Sequence, residues 1–508
     1  MKTTRTYFQQ SRQNAMSSLK IKLNDKTLFG NDAGEDEDEQ VLVSYFVDQP
    51  SFEDFLNPKN RLQVARGRKG MGKSALLVRF AHELKELAEK PLVIHIVPSS
   101  LAAISAPPQT DNAVILENYW KQVICATINM ELANEVGFAW TDDEMMLVET
   151  AEISGFKGQN LVGALISRML NKITLGAIEV ANKPKTAPNH EQLLQRVSQT
   201  NGDRGVWFLL DDIDTKFQNT PLQQAYVSSF FSAARFLVRN VEGLGIRATV
   251  RTDVWSSLRA AEDLDKFEQY VTEIQWTSVQ QKEILANRIL AYMKRNDPES
   301  EISKDWTFET HGDDLIELVF ARRMKWGRSA APSTQVLRIL GSGRPRWMAQ
   351  LCRLAGVEAT KVHSRFIGIQ EINQVMGEFG RRRLSDIYKE HQHQFADLKR
   401  LIETFSNGPK QYTTSELMAR ITMNYIRLRG AVGIPDVDGQ PFRDSWQLAH
   451  FIYKCGFISG HNVGAVSLDV PEFVSYEARP DLLEVETNLD DGMNWEIQPA
   501  YRQILRTQ

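Results

Sequence analysis

Apolar residues in the first half of the chain come in short unbroken runs set between stretches of helical spacing. Leu62, Val64 and Ala65 form one run, and Pro91-Leu-Val-Ile-His-Ile-Val97 forms a second, β-branched one. Gly205-Val-Trp-Phe-Leu-Leu210, Gly245-Ile-Arg-Ala-Thr-Val250 and Tyr270-Val-Thr-Glu-Ile-Gln-Trp276 supply three more. Such runs predict buried strands. Ala75, Leu76, Leu77, Phe80 and Ala81 recur with helical period, as does 117–135, and strands alternating with helices predict a parallel α/β sheet. Val41 to Leu56 is also helically spaced, broken at Pro50, and 136–188 predicts a helical insertion with loops and no assigned chemistry.

From Ser278 onward the pattern turns helical, with Leu285, Ile289, Leu290 and Met293 on one face. Further on, Phe395–Phe405, a helix opened by the capping box Thr413-Thr-Ser-Glu416, and Arg443–Cys455 predict three helices. Gly456–Ser459, Gly464–Val470 and Trp495–Ile497 alternate like strands, so the order predicts a winged helix-turn-helix. The expected organisation is an N-terminal arm and acidic linker over 1–40, an α/β core over 41–277, a helical lid over 278–392 and the winged helix over 393–508.

At 508 residues the chain is too long for one core. Its 42% hydrophobic and 24% charged content is that of a globular protein. A net charge of -4 argues against a surface coated in positive charge for nucleic acid, while leaving room for a local basic face. Cys125, Cys352 and Cys455 are far apart, which excludes a disulfide frame or zinc cluster and predicts a reduced, cytoplasmic chain. No run has the length of a membrane span, so no membrane partner is expected. Arg5, Arg12, Lys20, Lys22 and Lys26 precede the acidic Gly34–Glu39, and this region reads either as a frayed terminus or as an arm for a neighbouring subunit or nucleic acid.

The chemistry begins at Gly67-Arg68-Lys69-Gly70-Met71-Gly72-Lys73-Ser74-Ala75, a G-x-x-x-x-G-K-S phosphate loop between a predicted strand and helix. The glycines let backbone amides curl inward, and the helix starting near Lys73 directs its amides at the same point. Lys73 would bridge β- and γ-phosphate oxygens of ATP, and Ser74 would hold Mg²⁺. The acids Asp211, Asp212 and Asp214 end a second apolar strand, at the edge where parallel sheets bind ligands. Asp211 would hold Mg²⁺ opposite Ser74, Asp212 would polarise the attacking water, and Asp214 would orient Asp212 or cap a helix. Arg251 ends the strand expected between these two. It reads either as a γ-phosphate sensor or as a structural partner of Asp253 or Asp211.

Further along, Gly341-Ser-Gly343-Arg344-Pro345-Arg346-Trp347 opens a helix, and the lid holds Arg322, Arg323, Lys325, Arg328 and Arg338. Gly380-Arg381-Arg-Arg383 reads as a basic helix end. On helix three Arg443, Gln447, His450 and Lys454 are the candidate DNA-reading side chains.

These motifs together resemble an AAA+-related P-loop ATPase, sharing features with origin-recognition initiators and STAND ATPases. The chain is most similar to a bacterial P-loop ATPase family whose members often neighbour anti-phage defence genes. The resemblance implies that an arginine of the Gly-x-Gly-Arg-Pro-Arg turn folds onto the nucleotide, Arg346 first and Arg344 second. In place of the usual Asp-Glu the acids are Asp-Asp, nearer the STAND form. No arginine immediately precedes Tyr270, where Lys266 and Arg259 are the nearest cations. A missing arginine finger removes roughly 10³–10⁵ in turnover, so a slow switch is expected.

The expected function is an ATP-binding and hydrolysing switch controlling self-assembly, as a homo-oligomer, or a partner effector in anti-phage defence. The alternative is a DNA-binding initiator or regulator acting through the winged helix and basic lid. A small-molecule kinase would leave the lid and winged helix without a role.

Overall fold

The computed structural model describes residues 21–31, 37–104, 106–136, 205–215, 217–258, 262–327, 329–462, 473–484 and 493–507. The insertion over 136–188, Arg5, Arg12, Lys20, Arg259, Arg328 and the strand expected at Gly464–Val470 lie outside these apart from Val136. The chain divides into two compact units, one of Asp48–Gln275 and one of Met1–Val47 with Trp276–Gln508.

In the first unit the five expected strands form one parallel sheet. They are β1 (Leu62–Arg66), β2 (Leu92–Ile96), β3 (Val206–Leu210), β4 (Leu244–Val250) and β5 (Val271–Glu273), in the order β2-β3-β4-β1-β5. Strand β4 therefore lies between β1 and β3. The closing strand is shorter than Tyr270–Trp276 and pairs only with β1. Helix α1 (Lys73–Glu86) follows β1, the long α2 (Ala113–Val136) follows β2, and α3 (Pro221–Asn240) follows β3. Both β3 and β4 are buried throughout, which explains their apolar runs. This is an α/β P-loop NTPase fold.

Two features of β4 depart from simple apolar packing. Gly245 leaves room for the Trp207 ring, since a Cβ there would lie 2.4 Å from Trp207 Cε3. Arg247 is fully buried, with Nε donating to the Phe55 carbonyl at 2.7 Å and Nη2 to that of Asn57 at 3.0 Å. Its guanidinium lies over the Phe80 and Trp207 rings, so the cation ties the segment ahead of β1 to the sheet.

The second unit packs around its own apolar cluster. Helices α4 (Ser278–Asn296), α5 (Ser333–Leu340), α6 (Pro345–Lys361) and α7 (Ile369–His391) lie in the stretch expected to be a helical lid. A hairpin of β6 (Arg323–Trp326) and β7 (Ser329–Pro332) interrupts the expected helical run. Glu39–Tyr45 is helical and packs on α4, with Tyr45 buried, its hydroxyl on Glu37 and Arg288 over its ring. Gly380-Arg-Arg-Arg383 does not end a helix. It sits inside α7, because Gly380 admits the Ala500 carbonyl that a Cβ would meet at 2.4 Å.

Helix one is shorter than expected, Leu398–Glu403. Then come β8 (Gln411–Thr413) and α8 (Thr414–Ile421), which is opened by the Thr413/Glu416 capping box. Helix three is α9 (Ser445–Lys454). Strands β9 (Ile458–Asn462), β10 (Phe473–Val474) and β11 (Met493–Ile497) join β8 in an antiparallel sheet ordered β10-β9-β11-β8. The last helix, α10 (Pro499–Leu505), packs on α7. No described helix is long and apolar enough to cross a membrane.

Candidate nucleotide-binding site

The phosphate loop leaves β1 at Gly67, whose N–H donates to the Val250 carbonyl at 3.3 Å and ties the loop to β4. Gly70 and Gly72 take φ of +82° and +101°, a left-handed backbone that side chains disfavour. Gly72 caps α1, so that helix begins at Lys73 with its free amides at the loop. Arg68, Lys69, Gly70, Met71, Ser74 and Ala75 are partly exposed around it, whereas Lys73 is only 7% exposed.

The acids after β3 reach the same end of the sheet. Asp211, 4% exposed, accepts from Thr249 Oγ1 at 2.6 Å and from the Ser74 hydroxyl. Burial pushes its carboxyl up, with Asp212 adding to the shift, while the Thr249 and Ser74 hydrogen bonds pull it back. Asp212 is half-exposed and takes φ +50°. Its N–H donates to Thr249 Oγ1 at 2.7 Å, and its Oδ1 lies 3.6 Å from Lys73 Nζ. The hydroxyl of Thr249 thus fixes both acids at once.

Asp214 neither orients Asp212 nor caps a helix. It is buried and accepts from Arg251 Nε at 2.6 Å and from the Arg251 backbone N–H at 3.2 Å. Burial raises its carboxyl against the pull of Arg251 and Lys73. Arg251 Nη2 also lies 3.5 Å from Asp253 Oδ2. Arg251 therefore pairs with Asp253, as expected, and with Asp214, which was not expected.

Sequence reasoning missed Thr249. Its signal was a lone hydroxyl in a strand buried at every position, two residues before Arg251 on the same side of the strand. Arg344 and Arg346 belong to the other unit. Arg344 is 3% exposed and donates to Glu390 at 2.8 Å, so the second-choice nucleotide arginine is an internal brace. Arg346 lies in the first turn of α6 and is partly exposed.

The candidate DNA-reading side chains, Arg443 just ahead of α9 and Gln447, His450 and Lys454 on it, each contact other groups of the chain. Arg443 pairs with Asp444 at 3.1 Å, and Gln447 holds Arg443 and Pro441 backbone groups. His450 contacts the Leu482 carbonyl at 3.0 Å, and Lys454 pairs with Asp438.

The donor set fits Mg²⁺ with a triphosphate. Ser74 and Asp211 present hard oxygens side by side, and magnesium takes one or two protein oxygens while sharing phosphate oxygens and water. The buried Lys73 ammonium and the amides at the start of α1 suit the phosphates.

No family model matches the chain, and no curated protein matches it. Among solved structures it is similar to the Aeropyrum pernix ORC2 protein in ADPNP-ADP complexes. That match has 11% identity and TM-score 0.39, covering 87% of this chain and 86% of that one. The A. pernix ORC1 protein in complex with DNA matches at 14% identity and TM-score 0.33, over 92% and 95%. Cdc6p from Pyrobaculum aerophilum matches at 10% identity and TM-score 0.30, over 92% and 98%.

Proposed function

We propose that the protein is an ATP-binding and hydrolysing switch whose nucleotide state controls self-assembly or a partner effector, in anti-phage defence on the resemblance above. The observation that carries this reading is the meeting of Ser74 and Asp211, with Lys73 buried beside Asp212. A phosphate loop and an acid pair brought together by a parallel sheet are the parts that nucleotide hydrolysis needs.

Loop amides and Lys73 hold the phosphates, while Ser74 and Asp211 hold Mg²⁺. When bound there, Mg²⁺ would supply neutralisation of the charge on the phosphate oxygens. Asp212 orients and polarises water, and its short side chain, shared with Lys73, makes hydrolysis slow. Arg251 senses the γ-phosphate through a guanidinium already oriented by Asp214 and Asp253, and Arg346 is the lid arginine. A ligand that contacts one state more than the other shifts their equilibrium.

Lys73→Ala tests the site. The variant is expected to lose fluorescent-ATP binding and any mass change that a non-hydrolysable analogue produces in mass photometry. Hydrolysis at the wild-type rate in that variant would show the site to be misassigned.

A further inference from the structure

The stretch from Leu318 to Val357 holds eight arginines and lysines and no aspartate or glutamate, in a chain whose net charge is -4. The fold turns some of these cations inward and leaves others outside. Arg344 is buried against Glu390, and Arg353 donates to the Gly30 carbonyl, so both serve the interior. Arg322, Arg323 and Lys325 are exposed, the first just ahead of β6 and the other two on it.

Strand pairing fixes which way the hairpin's side chains face. Met324 and its cross-strand partner Ala331 are buried in the core, and Trp326 packs against the same core. Alternation then puts Arg323 and Lys325 on the outward face, opposite Pro332 and Ala330. No acid stands across from either, although opposite charges in such pairs are what stabilise a sheet face. Arg322 reaches Glu317 at 3.3 Å, and the Arg323 guanidinium donates to the Ala330 carbonyl. Among the described residues neither Arg323 nor Lys325 pairs with a carboxylate. Other exposed cations of this unit are matched, Lys304 with Glu299, Lys361 with Glu358 and Arg382 with Glu378. Gly327 turns the hairpin at φ +62°, and a Cβ there would meet nothing within 4 Å, so the tip stands in open space.

We propose that the β6–β7 hairpin is a docking surface for duplex DNA, gripped through its phosphates by Arg322, Arg323 and Lys325. The proposal goes beyond the nucleotide switch and does not depend on it. A two-stranded ribbon enters the major groove, which is about 12 Å wide, and cations along the ribbon displace the counterions of the flanking phosphates. A single strand calls for an exposed aromatic to stack on, whereas Trp326 is turned to the core. A bilayer surface calls for large apolar side chains beside the cations, whereas the outward face offers Ala330 and Pro332. Phosphates carry no sequence information, so this grip is independent of sequence.

The test is fluorescence anisotropy of the full chain with two labelled DNA duplexes of unrelated sequence, over a range of salt. The wild type should bind both alike, and more weakly as salt rises. The combined Arg322→Ala, Arg323→Ala and Lys325→Ala variant should bind more weakly, with the slope of log K against log salt reduced by about 0.9 for each cation removed. Lys325→Glu alone, at a side chain with no bond inside the chain, should weaken binding without disturbing the melting curve. Removing the matched cations together, by Lys304→Ala, Lys361→Ala and Arg382→Ala, should leave affinity and slope unchanged. The proposal is overturned if the wild type ignores both duplexes at low salt, or if the hairpin variants bind as the wild type does. Equal losses in the hairpin and matched-cation variants would overturn it too, since bulk charge would then explain the binding. So would tighter binding of phosphatidylserine vesicles or polyglutamate than of duplex.

Discussion

Thr249 has no charge, yet the two acids depend on it. Its hydroxyl donates to Asp211 and accepts from the Asp212 N–H, all within a buried strand end. Replacing it with valine keeps the shape and leaves a buried carboxylate short of a donor, which costs about 1–3 kcal/mol. Thr249→Val should therefore lower stability by that amount in chemical denaturation and reduce ATP hydrolysis, whereas unchanged values of both would remove it from the site. Asp211 carries the opposite stress. Burial holds its carboxyl above the ordinary 3.8, so between that value and the raised one the folded chain keeps a proton that the unfolded chain loses. Stability then falls as pH rises through this window, and above it the whole cost of burying the charge is present. Asp211→Asn can still accept from Thr249 and removes the charge. At neutral pH without nucleotide the melting transition of its Asp48–Gln275 unit should lie above that of the wild type, and Mg-ATP should no longer raise it. A lower melting temperature for the nucleotide-free variant would contradict the assignment of burial as the dominant effect.

At the scale of elements, β4 decides the geometry of the sheet. Its insertion between β1 and β3 separates the phosphate loop from the acids by one strand and places Thr249 and Arg251 between them. The close fit of Gly245 beneath Trp207 sets how β3 and β4 pack. Gly245→Ala would force the ring to move, and overpacking of this kind costs about 1–3 kcal/mol. Denaturant melts should show that loss and its partial recovery when Trp207→Phe is added, and a neutral Gly245→Ala would mean the ring moves freely. Much of this was legible in the sequence, because apolar runs, glycine punctuation and the Thr413 capping box are local signals. Asp253 as a partner of Arg251 was legible too, two residues away. Asp214, Glu390 as the partner of Arg344 and Ser342 as the partner of Gln498 were not, since each of those pairings closes over tens of residues or more and nothing in the local pattern names the other end. The β6–β7 hairpin was hidden for a different reason. Its strands are four residues each, too short for a period to stand out in a helical stretch.

The described residues form two separate apolar cores, one spanning residues from Leu62 to Phe267 and the other joining Leu23 to Leu505 around it in sequence. Two cores make two cooperative units, so a single two-state melt is not expected. The phosphate loop and the acids belong wholly to the unit of Asp48–Gln275. Ligand binding stabilises the state that binds it, by about 2.7 kcal/mol at a hundredfold excess over the dissociation constant. Scanning calorimetry should therefore resolve two transitions, and Mg-ATP should raise the one belonging to Asp48–Gln275 by much more than the other. In Lys73→Ala both transitions should persist while the shift disappears, because the core around α1 is apolar and keeps its packing. A single transition, or two that move together in the wild type and in Lys73→Ala alike, would mean that nucleotide acts somewhere other than the loop between β1 and α1.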